Sequence, residues 1–145
     1  MNNLQLGWSF IIVTSGEFNE HLNSCVSSVI DASIDESYEI IVVGGVGEFD
    51  QRFIHIEFEE EKPYYSLSNI KEELLKGRIS KIFKKTGAIA EKKNIGSKFA
   101  KFDKLCILHD YVSLKNDWFH IYQSETSNDW DILVPKVLNS DNKRH

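Results

Sequence analysis

The stretch Trp8-Ser9-Phe10-Ile11-Ile12-Val13 decides the fold, and it ends at the turn residues Thr14-Ser15-Gly16. A continuous run of β-branched and aromatic residues closed by a turn predicts a strand that is buried on both faces of a sheet. A second run of this kind, Tyr38-Glu39-Ile40-Ile41-Val42-Val43, stops at Gly44-Gly45. Residues 20–32 between them carry apolar side chains at helical spacing, so the pattern is typical of a parallel βαβ unit.

The rest of the chain continues the alternation of strands and helices. Strands are predicted for residues 53–58, nearer an edge of the sheet because apolar and polar residues alternate there, and for the apolar runs 104–108 and 131–135. Helices are predicted for residues 88–102 and 116–124, whereas residues 62–78 stay undecided, with a short helix at 69–75 as one option. This order predicts an α/β protein with helices on the faces of the sheet.

Length and composition indicate one globular domain. The chain has 145 residues, of which 41% are hydrophobic and 27% charged. Its longest early apolar run, residues 8–13, is too short to cross a bilayer and lacks the flanks of a signal peptide, so we expect a cytoplasmic protein, with the inner face of the membrane as a second location. Cys25 and Cys106 lie in apolar surroundings and are expected to be buried free thiols.

The net charge of −5 combines two halves of opposite sign. Residues 1–70 hold 12 acidic and 2 basic residues, whereas residues 71–145 hold 10 acidic and 15 basic ones. The negative total argues against general nucleic-acid binding. Two interpretations of the basic half stay open, a solvated lysine-rich surface and a site for an anion such as phosphate.

Three strand ends carry the candidate chemistry, because ligands of open parallel sheets bind at the carboxyl ends of the strands. The first strand ends at 14–17, the second at 44–47 and the fourth at His109-Asp110. The glycines there are turn formers or phosphate binders. Since the chain has neither the G-x-G-x-x-G motif nor a Walker A motif, a nicotinamide cofactor and a P-loop are not supported.

Asp110 is the most informative acid, because it follows an otherwise apolar strand and a carboxylate is costly to bury unpaired. It is a candidate ligand for a hard divalent cation that also binds substrate phosphates, and His109 could add an imidazole if the metal is manganese. The alternative is a capping or salt-bridging acid. The remaining histidines are expected at surface or packing positions: His21, His55, His120 and His145.

Three elements of the second half together resemble the core of family-2 glycosyltransferases of the GT-A fold: Lys92-Lys93-Asn94-Ile95-Gly96, then Ala100, then the strand Leu105–Asp110. Those enzymes have a basic residue, Asn, any residue and Gly, followed by Ala and by a strand that ends in an acidic metal motif. Lys93 stands at the usual Arg. The first two strands match the family in position and spacing, so the resemblance covers nearly the whole chain.

The resemblance implies a Rossmann-like, three-layer α/β/α domain of the GT-A type over residues 1–145, with a mostly parallel sheet. It implies transfer of a sugar from a nucleotide-diphospho-sugar to an unknown acceptor, such as a glycan. The residues implied to bind the donor are Thr14, Ser15, Gly16, Glu17, Gly44, Gly45, Lys93 and Asn94. Asp110 and His109 are implied to hold Mn²⁺ or Mg²⁺, which would bridge the diphosphate and stabilise the leaving group.

The sequence departs from the family pattern at two places and is shorter. Gly44-Gly45 stands where the family has acidic residues, and His109-Asp110-Tyr111 carries one carboxylate where Asp-any-Asp is usual. The later part of the family's domain holds the acceptor pocket and the catalytic base, and we expect this sequence to lack that part, so no base is assigned. A non-catalytic module that binds a nucleotide or a protein, and an unrelated small α/β domain, stay open. A shortened sheet also predicts self-association through an apolar edge.

Overall fold

Four strands and three helices form the described part of the chain, which in this computed structural model comprises residues 5–16, 19–33, 35–45, 51–58, 88–125 and 132. Their order is β1 (Gln5–Val13), α1 (Asn19–Ala32), β2 (Tyr38–Val43), β3 (Ile54–Ile56), α2 (Ala88–Phe99), β4 (Phe102–His109) and α3 (Trp118–Glu125). The strands form one sheet in the order β3-β2-β1-β4, and every neighbouring pair is parallel. The fold is therefore mixed α/β with a parallel sheet, compatible with a Rossmann-like fold, as predicted.

Strand β1 lies in the middle of the sheet between β2 and β4. Its last seven residues, 7–13, are all buried. A strand with hydrogen-bonded neighbours on both edges and cover on both faces needs mostly apolar residues, which Trp8 and Phe10–Val13 supply. The one polar side chain among them, Ser9, donates its hydroxyl to Glu39 at 2.7 Å. The predicted buried first strand and the parallel pairing of β1 with β2 are both confirmed.

Alternate residues of the strands enter two separate core clusters, because successive side chains of a strand point to opposite faces. The larger cluster contains Phe10 and Ile12 of β1 and the buried side of α1. The smaller one contains Ile11 of β1 with Ile41 and Val43 of β2, and half-buried Ile95 of α2 packs against it. Neither cluster is polar at its centre, so burial of apolar surface is the main stabilising contribution of both.

Helix α3 contacts the sheet through an aromatic cluster around Trp8. The Trp8 ring makes edge contacts with three rings of α3, at centroid distances of 5.2, 5.6 and 5.0 Å, to Trp118, Phe119 and Tyr122 respectively. Edge-to-face contacts between aromatic rings add to the stabilisation from area burial. The helix predicted over 116–124 is therefore confirmed at Trp118–Glu125, packed on β1 through its aromatic residues.

Several expected boundaries differ from the structure. The helix expected over 88–102 ends at Phe99, and the third strand is shorter than expected. The apolar run 104–108 indicates a strand buried on both faces, which is wrong for one face, since Leu105 and Ile107 are 44% and 43% exposed. The predicted helix at 69–75 lies outside the described residues, as does the predicted strand at 131–135 except for Ile132, which is 84% exposed. Among the described helices, none combines the length and the apolar character that crossing a bilayer requires.

Candidate functional site

The carboxyl ends of β1, β2 and β4 meet at one edge of the sheet. In the ladder, Val13 of β1 is level with Val43 of β2 and with His109 of β4. Because all three strands run in the same direction, the residue that follows each of them lies at the same edge. The structure thus brings together three of the predicted site positions: Thr14, Gly44 and Asp110.

Asp110 is joined to the end of β1 by a short hydrogen bond. The hydroxyl of Thr14 donates to Oδ2 of Asp110 at 2.6 Å, and the amide of Gly16 donates to the same hydroxyl oxygen at 3.0 Å. Thr14 is 3% exposed and Asp110 is 8% exposed. Within the described residues no cation lies at salt-bridge distance from Asp110, so the salt-bridging alternative has no support there. Asp110 is instead a buried acid whose orientation is set by a hydroxyl group.

The glycines after β1 and β2 are required by the backbone and by a close approach of the two turns. Gly16, Gly44 and Gly45 have φ values of +80°, +123° and +69°, a backbone region that residues other than glycine rarely adopt. A Cβ atom on Gly16 would lie 2.6 Å from the Cα atom of Gly45. The interpretation of these residues as turn formers therefore accounts for their described geometry.

Lys92 of α2 contacts the end of β1, although it is not among the predicted site residues. Its side chain is only 2% exposed, and its ammonium donates to the backbone carbonyl of Thr14 at 2.5 Å. The nitrogen also lies 5.5 Å from the centre of the Phe58 ring, a cation–π distance. The available signal was the four-residue spacing between Lys92 and the small residue Gly96, which places both on one face of the helix.

Lys93, which was predicted to bind the donor, is half-buried, and its charge acts on His109 at the end of β4. Burial lowers the pKa of His109 below its ordinary value of 6.5, the charge of Lys93 lowers it further, and Asp110 opposes the shift. The imidazole ring is stacked on that of Tyr111 at a centroid distance of 5.3 Å. His109 is consequently neutral at pH 7, with a ring nitrogen lone pair available as an acceptor or ligand.

The remaining predicted residues are less central. Ser15 and Asn94 are exposed, and Glu17 lies outside the described residues. Among the histidines expected at surface or packing positions, His55 is half-buried with Nε2 2.9 Å from the carbonyl oxygen of Gly44. His21 and His120 are exposed, and His145 lies outside the described residues.

The two candidate metal ligands are consecutive residues, with His109 last in β4 and Asp110 directly after it. In the part of the chain that the structure describes, no group of three or more His, Cys, Asp or Glu residues is placed to hold a metal ion. Asp110 has one carboxylate oxygen bonded by Thr14, and His109 is held neutral. Two such ligands leave most of the coordination of Mg²⁺ or Mn²⁺ to other groups, so the metal stays a prediction.

Burial is the main determinant of the pKa values of the two cysteine thiols. Burial raises the pKa of Cys25 to about 12, and the neighbouring carboxylate of Asp110 and the thiol of Cys106 add to the rise. Burial likewise raises the pKa of Cys106 to about 12. Both cysteines are free, as predicted, but only Cys25 is fully buried and Cys106 is half-buried. With pKa values this high, neither is available as a nucleophile at neutral pH.

Models of known protein families, curated proteins and solved structures were all compared with the chain, and none of them matches it.

Proposed function

We propose that this chain is the nucleotide-diphospho-sugar-binding domain of a glycosyltransferase, with the three-layer α/β/α arrangement of the GT-A type. The observation that carries the proposal is the buried carboxylate of Asp110 at the end of β4, bonded to the Thr14 hydroxyl at 2.6 Å. A buried acid at the carboxyl edge of a parallel sheet lies where such sheets bind their ligands. Lys93 of α2, whose charge acts on His109 at the same edge, would provide positive charge for a diphosphate.

In this proposal the strand-end turns line the donor site and the charged residues bind its diphosphate. The turns are residues 14–17 and 44–45, and Lys93 with Asn94 shapes the site from α2. Asp110 and His109 would hold Mn²⁺ or Mg²⁺, which supplies Lewis-acid stabilisation of the departing nucleoside diphosphate when bound. The sugar would pass to an unknown acceptor, such as a glycan.

Binding of nucleoside diphosphates tests the proposal directly. Isothermal titration calorimetry with UDP and with GDP, each with and without Mn²⁺, should show binding that Mn²⁺ strengthens. Asp110→Asn should weaken the binding in Mn²⁺ by at least about tenfold, since even residues that only support a metal ligand are worth 10–100-fold. The matched control is Asp117→Asn, an exposed acid before α3, which should bind as the unaltered chain does.

Two results would contradict the proposal. One is an absence of binding for both nucleotides, with and without Mn²⁺, to a chain whose folding is verified by circular dichroism. The other is equal affinity of the Asp110→Asn and Asp117→Asn variants in Mn²⁺, because the carboxylate would then have no part in the site.

A second candidate function is a non-catalytic interaction module that associates with copies of itself. It is favoured by the apolar side chains that β4 and α2 expose, with Leu105 at 44%, Ile107 at 43% and Phe99 at 57%. Light scattering across a concentration series should then show a growing average mass, which Leu105→Glu should prevent. A constant monomer mass counts against self-association, and hydrolysis of a nucleotide sugar above background excludes the non-catalytic interpretation.

A further inference from the structure

Lys92 is buried to a degree that lysine rarely reaches. Its side chain is 2% exposed, although burial of an ammonium group carries a large desolvation cost unless hydrogen bonds compensate for it. The described compensation is a hydrogen bond from Nζ to the carbonyl oxygen of Thr14 at 2.5 Å, with the ring of Phe58 at 5.5 Å. These two contacts are among those that compensate for the burial of the Lys92 ammonium.

Close packing of α2 on the sheet delivers Lys92 to that position. Gly96, one helical turn later, lies so close to the sheet that a Cβ atom there would collide with Ile11 and lie 3.2 Å from Cγ2 of Val43. Since residues four apart share a face of a helix, the turn before Gly96 lies over the ends of the same two strands. The glycine therefore fixes the depth at which the Lys92 ammonium enters.

The ammonium lies between the ends of β1 and β2. A Cβ atom on Gly44 would lie 2.9 Å from Nζ of Lys92 and would also collide with the carbonyl oxygen of Thr14. Gly44 is the position at which the family resemblance implies an acidic residue. In this chain the volume that such a side chain would enter is bounded by the Thr14 carbonyl and the Lys92 ammonium.

The carbonyl group and the hydroxyl group of Thr14 form hydrogen bonds with different residues. The carbonyl accepts from Lys92, whereas the hydroxyl donates to Asp110 and accepts from Gly16. Because a buried backbone carbonyl needs a donor, the Lys92 bond fixes the rotation of the peptide group that follows Thr14. Fixing that peptide group fixes the start of the turn that carries Gly16.

We propose that Lys92 is a positioning residue, whose hydrogen bond to the Thr14 carbonyl holds the β1 turn so that the Thr14 hydroxyl orients the Asp110 carboxylate. The consequence for ligand affinity rests on the proposed function, whereas the consequence for the geometry of Thr14, Gly16 and Asp110 holds in the protein without ligand.

NMR on the unaltered chain gives the first test, free of any folding problem. A long-range HNCO-type experiment should detect a coupling through the hydrogen bond between Nζ of Lys92 and the carbonyl carbon of Thr14. The ammonium protons of Lys92 should also exchange with water slowly enough to be observed, because the group is buried. A coupling to a different carbonyl, or rapid exchange of these protons, would overturn the proposal.

Lys92→Met removes the donor at similar side-chain length and gives the second test. The amide of Gly16 should exchange with solvent at least about tenfold faster, and the carboxyl carbon shift of Asp110 should change, while Lys98→Met on the exposed side of α2 changes neither. Lys92→Arg, which keeps a cationic donor, should restore both signals toward their original values. Unchanged Gly16 exchange and an unchanged Asp110 shift in Lys92→Met would refute the positioning role.

The ligand measurement separates this proposal from the proposed function. If UDP or GDP binds in the presence of Mn²⁺, Lys92→Met should weaken that binding at least about fivefold, whereas Lys98→Met should not. If neither nucleotide binds the unaltered chain, the proposed function fails, and the two NMR tests still decide whether Lys92 positions Thr14.

Discussion

Replacing Thr14 by valine tests whether the strand-end hydrogen bonds stabilise the fold as the geometry requires. Valine has nearly the shape of threonine, so the change leaves no large cavity but removes the hydroxyl. The hydroxyl donates to Asp110 at 2.6 Å and accepts from the Gly16 amide at 3.0 Å. Thr14→Val therefore leaves a buried carboxylate oxygen without its donor and an amide without its acceptor.

The expected loss of stability follows from those two bonds. A hydrogen bond to a charged group contributes about 1.5–3 kcal/mol, and a neutral one about 0.5–1.5 kcal/mol. Thr14→Val should therefore lower the free energy of unfolding by about 2–4.5 kcal/mol, equivalent to a fall in Tm of roughly 4–18 °C for a chain of this size. Thr14→Ser keeps the hydroxyl and loses one methyl group, which costs about 1 kcal/mol.

Urea denaturation followed by circular dichroism measures these differences, with Thr14→Ser as the matched control. Thr14→Val should unfold at a lower urea concentration than Thr14→Ser. In an Asp110→Ala background the same Thr14→Val change should cost at most about 1.5 kcal/mol, because only the bond from Gly16 is then lost. Equal stability of the Val and Ser variants, or an undiminished cost in the Asp110→Ala background, would refute the reasoning.

Three further changes have definite expected outcomes. Lys93→Met should raise the pKa of His109 in an NMR titration, because the charge of Lys93 lowers it. In the unaltered chain the lowered pKa of His109 means that the folded state binds fewer protons than the unfolded state. The free energy of unfolding should therefore fall as the pH drops below the ordinary pKa of 6.5. Cys25 and Cys106 should not react with Ellman's reagent at pH 8 until urea unfolds the chain, because burial raises both pKa values to about 12. Gly44→Ala should lower stability by at least about 2 kcal/mol in the same urea assay, through backbone strain at φ +123° and the collision with Thr14.

Each of these outcomes has a clear opposite. An unchanged pKa of His109 in Lys93→Met would mean that the two charges are farther apart than the structure places them. Rapid labelling of either thiol in the folded chain would mean that the core around α1 and β4 opens readily. A Gly44→Ala variant as stable as the unaltered chain would mean that the turn after β2 adopts another conformation.

The central strands could be predicted from sequence because their environment is uniform. Phe10 to Val13 are apolar without interruption, and only a position inside a parallel sheet buries every residue of such a run. The same rule failed at β4, where Leu105 and Ile107 belong to an apolar run but keep an exposed face. Periodicity alone does not report which neighbours cover a strand, so an apolar edge and an apolar centre have the same pattern.

The site was predictable where polar residues interrupt the apolar pattern. Thr14 and Asp110 follow buried strands, and parallel strands bring such residues to one edge. Lys92 was not predictable in the same way, because lysine is exposed in almost all proteins and its burial depends on the close approach of α2. That approach depends in turn on Gly96, which only the three-dimensional structure places against Ile11.

Positions 44 and 92 should vary together among chains with this fold, because a side chain at position 44 would enter the space beside the Lys92 ammonium. A chain with this fold that acquires a side chain at position 44 must also move the backbone of Thr14 and shorten or redirect the residue at 92. Two single steps in either order pass through a strained or an under-packed intermediate, so substitutions at the two positions should occur together. Among homologous sequences, a residue other than glycine at position 44 should therefore rarely occur together with lysine at position 92.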